Sequence, residues 1–152
     1  MEARILFVAP FASLATLAEE VVVERFADSA HLIKVVKGDL QECIAIVKQA
    51  VEDGVEVIVS RGGTATLIKK NVNIPTVHIQ VTVMDVLRAL RQSGVYPEKI
   101  GIAGFENVIY GCEDLATLLG ITFVEIALKS EDEAPEKIAA AVQNGVELII
   151  GD

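Results

Sequence analysis

Apolar residues in this chain fall into short unbroken runs, separated by stretches where they recur at helical spacing. Ile5 to Ala9 is the first run, the pattern of a central parallel strand buried on both faces. Pro10 and Ser13 lead into a helix with Leu14, Leu17, Ala18, Val21 and Arg25 along one stripe. Leu32 to Val36 predicts a second strand. Asp39 opens a helix, and Glu42 three positions on suggests a capping box. Its inner face is Leu40, Cys43, Ile44, Val47 and Val51. Gly54 ends that helix, and Val55 to Val59 is a third strand. A short helix over Thr64 to Lys70, an Ile74-Pro75 turn and a strand at Val77 to Ile79 follow. Thr82 with Asp85 caps the next helix, whose inner stripe is Val83, Val86, Leu87 and Leu90; Gly94 and Pro97 stop it. A second series then runs: a strand at Ile100 to Ala103, a helix at Cys112 to Leu119 closed by Gly120, and a strand at Phe123 to Ala127. A helix within Ser130 to Gln143 and a strand at Val146 to Ile150 end it.

Strands that alternate with helices predict parallel sheets joined by right-handed crossovers. A repeat sharpens this. Ala50-Val51-Glu52-Asp53-Gly54-Val55-Glu56-Val57-Ile58-Val59 returns as Ala141-Val142-Gln143-Asn144-Gly145-Val146-Glu147-Leu148-Ile149-Ile150, with six positions identical. Each copy reads as a helix end, a glycine turn and a buried strand. Lys99-Ile100-Gly101-Ile102 likewise parallels Arg4-Ile5-Leu6-Phe7. The expected fold class is therefore α/β: two similar Rossmann-like lobes with parallel sheets and a ligand cleft between them. The lobes are expected at residues 1–80 and 81–152. A complete second half would carry a fourth strand, as the first does, so the second lobe is expected to be truncated at its C-terminal side.

Composition narrows the function. Apolar residues make up 52% and charged residues 23%, enough for a real core. The net charge of −9 argues against direct nucleic-acid binding, which needs clustered Lys and Arg. With no Trp, two Tyr and five Phe there is little to stack bases on. Cys43 and Cys112 show no metal-ligand spacing and no CxxC, the usage of a reducing cytosol. His31 and His78 lack a ligand pattern. No metal site and no cofactor are expected. No apolar run approaches the roughly 20 residues that span a membrane. Pro10 and the lack of a basic leader make Ile5 to Ala18 a strand and helix rather than a signal sequence.

Ligands of open parallel sheets sit beyond the carboxyl ends of the strands. Strand one supplies Pro10, Phe11 and Ser13 there, and strand four Gln80 and Thr82. Strand three supplies Ser60-Arg61-Gly62-Gly63-Thr64. Two glycines let backbone approach a ligand, the following helix N-terminus favours an anion, and Arg61 offers a fork for a carboxylate or phosphate. The alternative is a tight turn with Thr64 as N-cap and Arg61 solvated. The spacing is neither a Walker loop nor GxGxxG. In the second half, Gly104-Phe105-Glu106-Asn107-Val108-Ile109-Tyr110-Gly111 takes the matching place. Asn107 and Tyr110 could donate to a ligand and Phe105 cover it; alternatively Phe105 and Ile109 fill the hinge region and Asn107 caps a turn. Cys43 reads as a buried structural thiol, and Cys112, near a helix start, as a packing residue. His78 reads as hydrogen-bonded structure within a short strand; the alternative is a cleft-facing ligand contact. Glu131, Asp132, Glu133 and Glu136 complement a helix dipole. No Ser–His–Asp or paired-carboxylate arrangement stands out, so no catalytic residue is expected.

Val57 to Val77, which contains Ser60-Arg61-Gly62-Gly63-Thr64-Ala65, together with Asp85-Val-Leu-Arg-Ala-Leu and Ile100 to Gly111, resembles the N-terminal sensory domain of propionate catabolism activators. These are sigma-54-dependent transcriptional regulators, and the resemblance covers nearly the whole chain. It implies a two-lobed cytoplasmic effector domain, not an enzyme. Arg61, Gly62, Gly63 and Thr64 would hold the carboxylates of an organic anion, with Asn107 and Tyr110 opposite. The family's named regulator takes a methylcitrate-like tricarboxylate, and its members differ in effector. The resemblance also implies ATPase and helix-turn-helix domains in the full-length regulator, so this chain alone should neither hydrolyse ATP nor bind DNA. Whether it forms a homo-oligomer is left open. Aspartate/glutamate racemases offer the rival reading. They too pair two α/β halves, but their first-half loop reads Cys-Asn-Thr-Ala where this chain has Arg61-Gly62-Gly63-Thr64-Ala65. The thiol chemistry of such an isomerase should therefore be missing.

Overall fold

The protein is described by a computed structural model that covers residues 3–105 and 112–151, without the side chains of 112–114 and 131. The chain divides into two units, Met1–Ile79 and Gln80–Asp152. The first runs β1 (Ile5–Ala9), α1 (Ala12–Arg25), a 3-10 turn (Ala27–Leu32), β2 (Ile33–Lys37), α2 (Leu40–Glu52), β3 (Val57–Arg61), α3 (Gly62–Asn71) and β4 (Thr76–Ile79). Its sheet is parallel throughout, in the order β2-β1-β3-β4. The second runs α4 (Val83–Ser93), β5 (Lys99–Phe105), α5 (Cys112–Leu119), β6 (Thr122–Leu128), a 3-10 turn (Glu131–Glu133), α6 (Ala134–Gln143) and β7 (Leu148–Gly151). Its parallel sheet has the order β6-β5-β7. Strand for strand, β5, β6 and β7 repeat the arrangement of β1, β2 and β3.

The internal repeat has a specific structural meaning. At the end of α2, Gly54 N–H donates to Val51 O and Val55 N–H to Ala50 O. At the end of α6, Gly145 donates to Val142 O and Val146 to Ala141 O. Both are Schellman caps, which need a left-handed residue one past the C-cap. Gly54 (φ 100) and Gly145 (φ 85) supply it. The apolar pair that closes such a cap is buried in each copy: Ala50 with Val55, and Ala141 with Val146. One residue later, Glu56 N–H donates to Arg4 O and Glu147 N–H to Lys99 O, which starts each strand against its neighbour. These caps also displace the strands from their expected places. Val55 and Val146 close helices instead of opening strands, so β3 and β7 begin at Val57 and Leu148.

In the first unit the core forms between α2, α3 and the sheet: Leu6, Val8, Cys43, Ile44, Val47, Ala50, Val55, Ile58 and Ile68. Four of these, Cys43, Ile44, Val47 and Ala50, are the inner stripe of α2. In the second unit one cluster, Val86, Leu90, Ile100 and Ile102, lies under α4. Another, Ala103, Ile126, Ala141 and Val146, lies under α6. The stripe expected on α1 is not buried as such: Ala18 is, but Leu17 and Val21 remain 54% and 40% exposed. The Thr82–Asp85 capping box forms as expected, with the Asp85 carboxylate accepting from the Thr82 amide at 2.8 Å. Among the described residues no helix is long and apolar enough to cross a membrane.

Candidate functional site

The carboxyl ends of β1, β2 and β3 meet at one edge of the first unit's sheet. The segment expected as a loop, Ser60 to Thr64, is no loop. Strand β3 continues through Ser60 and Arg61, in register with His78 and Ile79 of β4. Helix α3 then starts at once, with Arg61 as its N-cap and Gly62 at φ 57 making the sharp turn. Ser60 is fully buried, and its hydroxyl donates to Val8 O at 2.8 Å, tying β3 to β1. It is therefore a structural residue. Arg61 is half-buried at the junction, and Gly62, Thr64 and Ala65 are buried. Thr64 is not the N-cap that the alternative reading supposes.

Its hydroxyl has another role. Thr64 Oγ1 donates to Asp39 Oδ1 at 2.7 Å and accepts the Leu40 N–H at 3.1 Å. It thus ties the first turn of α3 to the start of α2. Asp39 is the N-cap of α2, but its side chain does not cap that helix. The capping box expected with Glu42 does not form because the carboxylate turns to Thr64 instead. Leu40 pays for this arrangement with φ 37, in the left-handed region that an L side chain rarely enters. Gly38 makes room beneath it: a Cβ there would stand 2.9 Å from the Cys43 Cβ. Sequence reasoning that names the ends of strands one, three and four passes over this end of strand two. The Gly38-Asp39 pair directly after a strand is the signal that could have found it.

Cys43 packs in the core with its thiol donating to Leu40 O at 3.0 Å. Burial first, and then the charge of Asp39, push the thiol up to about 11. It is protonated and inert at neutral pH, the structural thiol that its helix position predicts. The side chain of Cys112 lies outside the described residues.

Physically, the junction offers a helix N-terminus whose first-turn amides lack acceptors within the helix and receive no side-chain cap. A guanidinium sits at the same point. Against these stands the Asp39 carboxylate, which places one negative charge beside the first turn. Elsewhere, Ser13 lies exposed within the first turn of α1, not ahead of it. Phe105 is half-buried at the end of β5, in register with Leu128. Asn107 and Tyr110 lie outside the described residues. Among the described residues no group of three or more His, Cys, Asp or Glu could hold a metal ion.

A model of the propionate catabolism activator family matches residues 27–152. The chain belongs to that family. It is a sensory domain of a transcriptional regulator, and its role is regulatory. A solved NtrC family transcriptional regulator from Clostridium acetobutylicum has a similar fold, with a TM-score of 0.78 and 22% identity over 98% of this chain and 77% of that one. A putative branched-chain amino acid ABC transporter from Chromobacterium violaceum ATCC 12472 reaches only a TM-score of 0.43, at 17% identity over 97% of this chain and 60% of that one. That likeness carries no weight for fold or function.

Proposed function

We propose that this propionate catabolism activator domain senses a small organic anion bearing two or three carboxylates. Arg61 pairs with one carboxylate, and the amides of Gly62, Gly63 and Thr64 at the start of α3 hold it. Ser13, in the first turn of α1 beyond the carboxyl end of β1, borders the site. The observation that carries this reading is the direct passage of β3 into α3 at Arg61, which puts a cation and an uncapped helix N-terminus at one point. The domain works in the cytoplasm, and ATPase and DNA-binding domains belong to the full-length regulator. Occupancy is transmitted as a shift between conformations, limited by the ligand's difference in affinity for them.

Calorimetric titration with citrate, methylcitrate, dicarboxylates and acidic amino acids tests it. Arg61→Ala should weaken binding of the best ligand at least tenfold, the loss of a charge-assisted bidentate contact. Asp39→Asn, which keeps an acceptor for Thr64 and removes the charge, should strengthen it severalfold. Unchanged affinity in both variants would place the ligand elsewhere.

A further inference from the structure

The second unit contains a cavity of about 380 Å³ at the end where its strands begin. Leu87, Leu90 and Arg91 of α4 line it, with Tyr96, Ile100 of β5, Leu119 of α5 and Ile121. Its walls are almost entirely carbon. Leu90 and Ile100 are buried at its base, whereas Tyr96 and Leu119 are 69% and 47% exposed at its rim. Water gains little in such a space, because it needs two to four polar partners. An apolar group entering it would gain both burial and dispersion contacts. The volume lies at the small end of the range for ligand pockets.

Arg91 brings a positive charge to this cavity. One turn earlier, Arg88 pairs with Asp85 of the same helix. Arg91 is exposed and forms no ion pair with another described residue. A carbon-walled cavity lined in part by the stem of Arg91, an exposed side chain long enough to carry its guanidinium to the rim, is complementary to a molecule with an alkyl body and one anionic end.

We propose that this cavity binds the alkyl chain of an aliphatic monocarboxylic acid, with Arg91 holding the carboxylate at the mouth. The site is separate from Arg61, in the other unit, and takes a different ligand class from the polycarboxylate sensed there.

The test uses the whole chain and straight-chain acids from butanoate to dodecanoate, each compared with the primary alcohol of the same length, by calorimetry below the micelle concentration. One molecule should bind per chain. Affinity should rise about fourfold per added methylene and stop rising once the cavity is full. Arg91→Gln should weaken the acids by about threefold to tenfold and leave the alcohols unchanged. Leu119→Trp fills the mouth from a half-exposed position. It should abolish binding of both while the melting temperature holds. No saturable binding by a folded chain, or wild-type binding by Leu119→Trp, would overturn the site. Equal loss of acids and alcohols in Arg91→Gln would overturn the anionic class.

Discussion

At the scale of residues, the site depends on a contact between positions 24 and 25 apart in sequence: Leu40 and Asp39, both bound to Thr64. Thr64→Val keeps the shape and removes the hydroxyl. It leaves the Leu40 amide and the Asp39 carboxylate without their partner. Chemical denaturation should show a loss of roughly 1–3 kcal/mol, and a change under a few tenths would mean that water replaces the hydroxyl freely. Cys43 gives a prediction with a definite sign. Its folded thiol titrates near 11 against an ordinary 9.0, raised by burial and by Asp39. The folded state therefore holds this proton more tightly than the unfolded state does. The contribution is complete below pH 9 and disappears as pH rises through the folded value. Stability measured from pH 8 to 11 should fall less steeply in Cys43→Ala than in the parent, even if the variant starts lower from lost packing. Parallel slopes would show that the thiol titrates normally. Local sequence patterns announce neither feature. A Thr three residues into a helix and a Cys on an apolar stripe look ordinary until the fold brings Asp39 beside both.

At the scale of elements, the repeat was the most legible part of the chain. Its ten-residue copies are two instances of one cap and one strand entry, down to the same four backbone bonds. Order and kind of the strands could be read because apolar runs and glycine stops mark them. Boundaries could not be read so well. A valine after a glycine looks like the start of a strand, but in Val55 and Val146 the backbone amide turns back to close the helix. The stripe of α1 misled for another reason: helical spacing shows that a face is apolar, not how much of it the neighbouring strands can cover. The analogy between the lobes picks out Asn107 and Tyr110, which lie outside the described residues. The cap itself is testable. Gly145 has φ 85 and open space around its Cβ direction, so Gly145→Ala meets strain without a clash. The loss should be about 1–2 kcal/mol, read from the denaturation midpoint at an unchanged slope. A variant as stable as the parent would show that the turn adopts another conformation.

At the scale of the whole molecule, the two units repeat a topology but not a core. The first gathers nine buried residues into one cluster. Among the described residues, the second divides its buried residues between two clusters of four, one under α4 and one under α6. Splitting a core leaves each part with more boundary and less mutual burial, which is why small cores are marginal. The apolar cavity beside Leu90 and Ile100 weakens the second unit further, since its lining lacks partners on one side. Every described member of the first unit's cluster comes from that unit. Native-state hydrogen exchange should therefore find the slowest amides in β1 and β3, with β5 and β7 opening at lower free energy. An aliphatic acid that fills the cavity should slow exchange in β5 and leave β1 unchanged, because a ligand stabilises the unit that binds it. Uniform protection across both sheets would mean that the units unfold as one cooperative body, and the division into two cores would then have no energetic consequence.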